Sequence, residues 1–189
     1  KMPGDYWQKF ANYRALLGFQ FTNPGKKLIF MGGEFAHMHE WKDKSELDWH
    51  LYEYPMHQNA NNFIKDLINV YNQTPSLYEC DYYPEGFKWI DSDNENQSIF
   101  SYLRYDKQGD FCVIVLNLTP MVYQDYRVGV PKAGSYKEIL NSDLKKYSGS
   151  NIYNNKIYSE DYNTHGFSQA IKIKIAPLAI QIFRLEVAK

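Results

Sequence analysis

The chain has 189 residues, 44% of them hydrophobic and 17% aromatic, which is enough for one large domain or two small ones with a buried core. Its 21 lysines and arginines stand against 22 aspartates and glutamates, and a net charge of −1 provides no broad positive surface for nucleic acid or anionic lipid. The longest unbroken apolar run, residues 111–116, is far short of the ~20 residues that a membrane-spanning helix needs, so neither a nucleic-acid nor a membrane partner is expected.

The opening Lys1-Met2-Pro3-Gly4 has neither the charged nor the apolar region of a signal peptide and reads as the start of a piece cut from a longer polypeptide. Asp5 is placed to cap a helix in which Tyr6, Phe10, Tyr13, Leu17 and Phe21 recur at helical spacing until Asn23-Pro24-Gly25 stops it. Leu28-Ile29-Phe30-Met31, ending at Gly32-Gly33, is a short continuous apolar run of the kind buried on both faces of a parallel sheet, and it predicts a strand. Residues 34–55 carry histidines, acids, Trp41 and Trp49 without periodicity, as a working loop does. A second helix follows, with the apolar stripe Ala60, Phe63, Ile64, Leu67, Ile68 and Tyr71, and Gln73-Thr74-Pro75 ends it.

Beyond it the period changes. Residues 86–91, 98–105, 111–118, 123–130, 136–140, 170–175 and 178–185 are short β-branched and aromatic runs separated by turn residues, the pattern of an antiparallel sandwich. The run at 111–118 is apolar on both parities and belongs at the centre, while Lys172 and Lys174 alternate with Ile171, Ile173 and Ile175 and give that strand one wet face. Residues 145–166 are polar and read as a long surface loop. The boundary falls between Gln73 and Pro84, dividing the chain into residues 1–76 and 77–189.

A single parallel-type strand between two helices has no partners for its backbone, so those partners are expected upstream in the same polypeptide. The expected fold class is therefore an α+β fragment: the last helix-strand-helix part of a (β/α)₈ barrel, then an antiparallel β-sandwich.

In barrels the C-terminal strand ends carry the active site, which puts Glu34 at a pocket wall or makes it a carboxylate that fixes the loop through backbone amides. Glu40-Trp41 and Asp48-Trp49 each set an acid beside an indole in one loop, pairing a flat apolar face for a pyranose ring with a carboxylate for its hydroxyls; the alternative is that the tryptophans plug the loop against the scaffold. His37 and His39, two apart on a loop, lack the helical spacing of zinc-binding pairs, and no metal is expected. Cys80 and Cys112 share no CxxC spacing and no cationic neighbour, which predicts inert thiols in a reducing cytoplasm. Tyr52, Tyr54, Tyr78, Tyr82 and Tyr83 read as packing between the two parts, with a platform for sugar as the alternative.

Met2-Pro3-Gly4-Asp5-x-Trp7-Gln8-Lys9-Phe10-Ala11-Asn12, then Pro24-Gly25-Lys26-Lys27-Leu28-x-Phe30-Met31-Gly32-Gly33-Glu34-Phe35, then Glu40-Trp41 and Leu47-Asp48-Trp49-His50-Leu51 closely resemble the bacterial glycogen branching enzymes, 1,4-α-glucan 6-glucosyltransferases of the α-amylase superfamily. Pro84-Glu85-Gly86-Phe87-x-Trp89-Ile90-Asp91 and Ser148-Gly149-Ser150-Asn151 extend the likeness over nearly the whole chain. The resemblance implies cleavage of an α-1,4 glucan and transfer of the piece to a 6-hydroxyl by a retaining mechanism with two carboxylates and no cofactor. The family's catalytic carboxylates precede its Met-Pro-Gly-Asp segment, so no residue of this chain is expected to be catalytic and the chain by itself is expected to be inactive. The expected partner is an α-glucan such as glycogen or amylose, with Glu34, Glu40, Trp41, Asp48 and Trp49 as candidate substrate-binding residues. The competing readings are a non-catalytic glucan-binding or interaction module, and another hydrolase of the same superfamily.

Overall fold

A computed structural model describes residues 2–39 and 43–186. The first helix, α1 (Tyr6–Thr22), starts in a capping box: the Gln8 backbone N–H donates to the Asp5 carboxylate at 2.8 Å, and the Asp5 N–H donates to the Gln8 side chain at 3.0 Å. The second, α2 (Pro55–Gln73), has proline in its first turn, where a missing N–H costs nothing, and buries Ala60, Phe63, Ile64 and Leu67. Both stripes fall largely where helical spacing puts them, although Tyr6 at one end of the first is half exposed and Ile68 of the second, at 36%, is exposed as well.

Residues 28–31 form no strand. Leu28 is 67% and Phe30 52% exposed, against the expectation of burial on both faces. The reason is the one that governs all strands: the ladder needs a neighbour, and among the described residues none runs beside this segment.

Eight antiparallel strands follow: β1 (Phe87–Asp91), β2 (Ile99–Tyr105), β3 (Phe111–Asn117), β4 (Tyr123–Val130), β5 (Ser135–Asn141), β6 (Ile157–Thr164), β7 (Phe167–Ile175) and β8 (Ala179–Glu186). Their order is β1-β2-β3-β8-β5-β6-β7-β4. Strand β6 pairs with β5 at Ile157 and Tyr158 and then with β7 from Ser159 onward, so the sheet turns over on itself at this strand. Val128, Val130, Ile171, Ile173 and Ile175 thereby share one core with Ile99, Leu103, Val113, Val115 and Phe183.

The other face of β2, β3 and β8 is also covered. Tyr102, Cys112, Ile114, Leu116, Ile180 and Ile182 pack with Leu17, Phe21, Phe63, Ile64 and Leu67 of the helices. The molecule is thus three layers deep, and β3, in the middle layer between β2 and β8, is buried at every residue. That is the physical content of an apolar run on both parities.

Residues 145–166 are not one long loop. They hold a 3₁₀ turn at Lys145–Tyr147 and all of β6. Strand β6 escapes a hydrophobicity reading because only Ile157 along it is buried. Its register with β7 closes at Thr164 and Phe167 around His165 (φ 51°) and Gly166 (φ 76°), a two-residue hairpin turn that needs positive φ at both positions.

A buried ion pair ties the helices to the sheet. Arg104 of β2, fully buried, donates to the carbonyls of Thr22 and Gly86 and to the Asp81 carboxylate, which also lies 3.5 Å from Lys27. Tyr52, Tyr54, Tyr78, Tyr82 and Tyr83 do not form the expected packing layer: each is more than a third exposed, Tyr82 to 71%. The buried work at this junction falls to Arg104, Asp81 and Leu77 instead.

Candidate functional site

The loop after residue 31 is wound tightly. Met31, Gly32 and Ala36 all have positive φ around a 3₁₀ turn at Gly33–Phe35, and the Tyr13 hydroxyl donates to the Gly33 carbonyl. From α2, Asn61 donates to the Glu34 carbonyl at 2.9 Å, and buried His57 meets the Phe35 carbonyl through Nδ1 at 2.8 Å. Phe10 stands edge-on to the His57 ring, with centroids 4.9 Å apart. The two helices therefore hold the turn through its backbone and leave its side chains to other work.

Asp48 and Trp49 are brought against this turn. The Asp48 backbone N–H donates to His37 Nε2 at 3.1 Å, and His37 Nδ1 lies 3.1 Å from the His39 carbonyl; a neutral ring protonated at Nδ1 satisfies both. The Asp48 carboxylate also lies 3.2 Å from His37 Nε2 and 3.4 Å from His39 Nε2, so both rings crowd the same acid. Trp49 stacks on Phe35 with centroids 5.2 Å apart and planes 29° apart, and stays 51% exposed. The indole is thus a plug on one side and an open surface on the other, which combines the two readings that sequence leaves apart.

Glu34 is elsewhere in the loop. Among the described residues no hydrogen bond reaches its carboxylate, so it does not fix the loop through backbone amides. Its charge is felt by the Tyr13 phenol, which burial first and Glu34 second push up to about 12. Glu40 and Trp41 lie outside the described residues. His37, His57 and Asn61 are the residues that hold the site and that patterns of acid beside indole do not single out. The signal for His57 was its place on the buried face of a helix, since a polar residue there needs a partner.

Ser148-Gly149-Ser150-Asn151 also resolves into physical roles. The Asp143 carboxylate accepts from the Ser150 N–H at 2.8 Å, the Ser150 hydroxyl at 2.7 Å and the Ile152 N–H at 3.0 Å. Gly149 passes so close that a Cβ would sit 2.0 Å from the Asp143 carbonyl oxygen. The Ser148 carbonyl accepts from the Trp7 indole at 2.8 Å and its hydroxyl from Asn59 at 2.8 Å, while Arg14 donates to the Ser142 carbonyl at 2.8 Å. The motif is a latch that fastens a sheet loop to both helices. Both thiols are buried, and burial raises that of Cys112 to about 11, which makes it a poor nucleophile.

Residues 89–186 match the model of the alpha amylase C-terminal all-beta domain, slightly more than half of the chain. The chain belongs to that family. Over its full length it is 51% identical to the 1,4-alpha-glucan branching enzyme GlgB of Oceanobacillus iheyensis, of which it covers 30%, and over 97% of its length it is 48% identical to the protein of the same name from Bacillus mycoides, of which it covers 29%. The chain therefore spans about 30% of the length of these relatives. Among solved structures it is similar in fold to the catalytic module of the glycogen-degrading pneumococcal virulence factor SpuA, with a TM-score of 0.65 at 13% identity over 96% of this chain and 32% of that one. Ttha1563 from Thermus thermophilus is similar with a TM-score of 0.63 at 15% identity, over 95% of this chain and 31% of that one. Both structural matches take in the helices together with the strands, so the family's C-terminal domain occurs here with the helical layer it packs on.

Proposed function

We propose that this chain is the C-terminal part of a 1,4-α-glucan branching enzyme, residues 1–76 being the last helix-strand-helix part of its (β/α)₈ barrel and residues 77–189 the β-sandwich. The observation that carries the reading is 51% identity along the entire chain to a branching enzyme more than three times as long. The exposed segment at 28–31 fits this origin, because an apolar run with Leu28 and Phe30 in water is what a barrel strand becomes without its neighbours. The whole enzyme would cleave an α-1,4 glucan and transfer the piece to a 6-hydroxyl with retention, using carboxylates outside this chain. Two buried unpaired thiols fit a reducing cytoplasmic setting.

Within that enzyme, Glu34, Glu40, Trp41, Asp48 and Trp49 would line one wall of the glucan groove. Trp49 supplies an open ring face for a pyranose, the carboxylate of Glu34 is available to hydroxyls, and Asp48, held by His37, sets the loop that presents the indole. The decisive experiment incubates amylose with the 189-residue chain and, separately, with a polypeptide of the relatives' full length, and counts α-1,6 linkages by debranching and chain-length analysis. Linkages from the longer protein alone are expected. Linkages from neither, or from the short chain, would remove this reading.

A further inference from the structure

A second candidate surface lies on the far side of the sandwich from the helices. A groove of about 710 Å³ runs along the outer face of β6, β7 and β4, walled by residues 151–158 on one side and by Gln124, Asp125, Lys172 and Lys174 on the other. We propose that this groove binds a linear α-1,4 glucan, with Tyr153 and Tyr158 stacking on its sugar rings. The proposal rests on the reading above for the identity of the polymer, and on the following geometry for the site.

The wall is rigid where it needs to be. The Ile152 carbonyl accepts from Asn141 at 2.9 Å and its N–H donates to Asp143 at 3.0 Å. Asn154 is clamped: its side chain accepts from the Lys174 N–H at 2.8 Å and donates to the Lys174 carbonyl at 2.9 Å, while its own N–H donates to half-buried Glu138 at 3.3 Å. With Ile152 and Asn154 turned inward, the alternating residues Tyr153 and Asn155 face out. Tyr153 is 45% and Tyr158 68% exposed, so two rings stand in water beside a clamped wall; Lys156 Nζ lies 5.7 Å from the centroid of the Tyr158 ring and leaves the opposite face for a sugar.

The chemistry around them selects the ligand class. Lys172 is matched by Asp125 at 3.4 Å and Lys156 by Glu186 at 3.0 Å, so of the three lysines in the lining only Lys174 brings its charge without an ion pair among the described residues, and one ammonium is too little for a polyanion. An apolar partner is disfavoured by the amides, carboxylates and ammonium groups that make up most of the lining. What remains is a neutral chain with many hydroxyls and apolar ring faces, laid in an open channel rather than enclosed. Tyr162, also exposed, does not line the groove and packs instead against Arg127, 4.4 Å from its ring centroid.

The test uses the 189-residue chain. In native gels containing soluble glycogen, the wild type should be retarded, and the double variant Tyr153→Ala, Tyr158→Ala should show an apparent dissociation constant raised roughly fivefold or more. Tyr153→Phe and Tyr158→Phe should keep most of the affinity, because the ring face survives. Thermal midpoints read alongside should be the same for all four, since both side chains lie on the surface. For the wild type, an NMR titration with maltoheptaose should shift resonances of residues 124–125, 151–160 and 172–174. A wild type that is not retarded, a double variant within twofold of it, or maltoheptaose shifts confined to residues 34–54 would overturn the site. The two readings fail separately: the branching assay of the longer protein does not depend on these tyrosines, and the tyrosine series does not depend on catalysis.

Discussion

Trp49 lies stacked on Phe35, with 5.2 Å between ring centroids, and turns its other face to water. Phe35 is itself 1% exposed and belongs to the turn that α2 grips through His57, so the indole rides on the most firmly held part of its loop. An aromatic held flat in this way loses little entropy when a ring is laid on it. In the full-length enzyme Trp49→Ala should weaken glucan binding several-fold, read as a rise in KM for amylose, while costing the 189-residue chain at most ~1 kcal/mol because only one face leaves contact. Unchanged KM together with a large drop in unfolding midpoint would make the indole a plug and nothing more.

Val115 is the sharpest probe of the three-layer arrangement. It pairs with Ser101 on β2 and Gln181 on β8 and is 1% exposed, so Val115→Ala should cost about 1 to 3 kcal/mol through lost burial and an unfilled cavity. Val113→Ala, paired with Leu103 and Phe183, should behave alike. Denaturant midpoints that move within error for both would contradict the central placement of β3.

The Arg104–Asp81 pair is a different kind of bond. Arg104 is fully buried, and Asp81 neutralises it while the Thr22 and Gly86 carbonyls accept hydrogen bonds from its other two nitrogens. Asp81→Ala leaves that charge buried beside Lys27 with no counter-ion and should destabilise by about 3–5 kcal/mol. Because the Arg104 that Asp81 neutralises joins β2 to the end of α1 through the Thr22 carbonyl, hydrogen exchange in α1 should accelerate more than exchange in β7. Equal acceleration in both would deny it the joining role.

These cases separate what pattern can carry from what it cannot. The capping box at Asp5 and Gln8 and the apolar stripe of α2 are local, and they read directly. So does β3, whose double-sided apolarity states how many layers cover it. Strand β6 does not, because a strand with one buried residue is specified by its neighbours and by the His165-Gly166 turn rather than by its own hydrophobicity. Residues 28–31 mislead in the opposite way: their composition reports burial, but burial of a strand depends on partners that are not adjacent to it here. At the site, Asp48 and Trp49 stand out as an acid beside an indole. The contact of Asp48 with His37, eleven positions away, depends on the path of the loop and leaves no periodic trace.

Acid should loosen the junction between α2 and the latch in a predictable direction. Asp66 of α2 accepts from Lys146 Nζ at 2.7 Å and from the Tyr147 hydroxyl at 2.5 Å. Partial burial pushes its carboxyl up, but the two hydrogen bonds outweigh that and leave it below its ordinary 3.8. A carboxyl whose folded value lies below its unfolded one stabilises the fold above the unfolded value, and that contribution disappears as pH falls through the folded value. Its size is held to about 1 kcal/mol or less because water reaches both Asp66 and Lys146. Asp66→Asn should therefore fall below wild type by up to that amount in urea unfolding at pH 7, and the gap should narrow as pH falls below 3.8. Tyr147→Phe removes the donor that is buried, so it should cost about 0.5–1.5 kcal/mol at neutral pH and bring the Asp66 carboxyl back toward 3.8 in an NMR titration. A gap between wild type and Asp66→Asn that stays constant from pH 7 to pH 2.5 would show that the carboxylate's charge contributes nothing, and that Tyr147 holds the helix by packing against Phe63 alone.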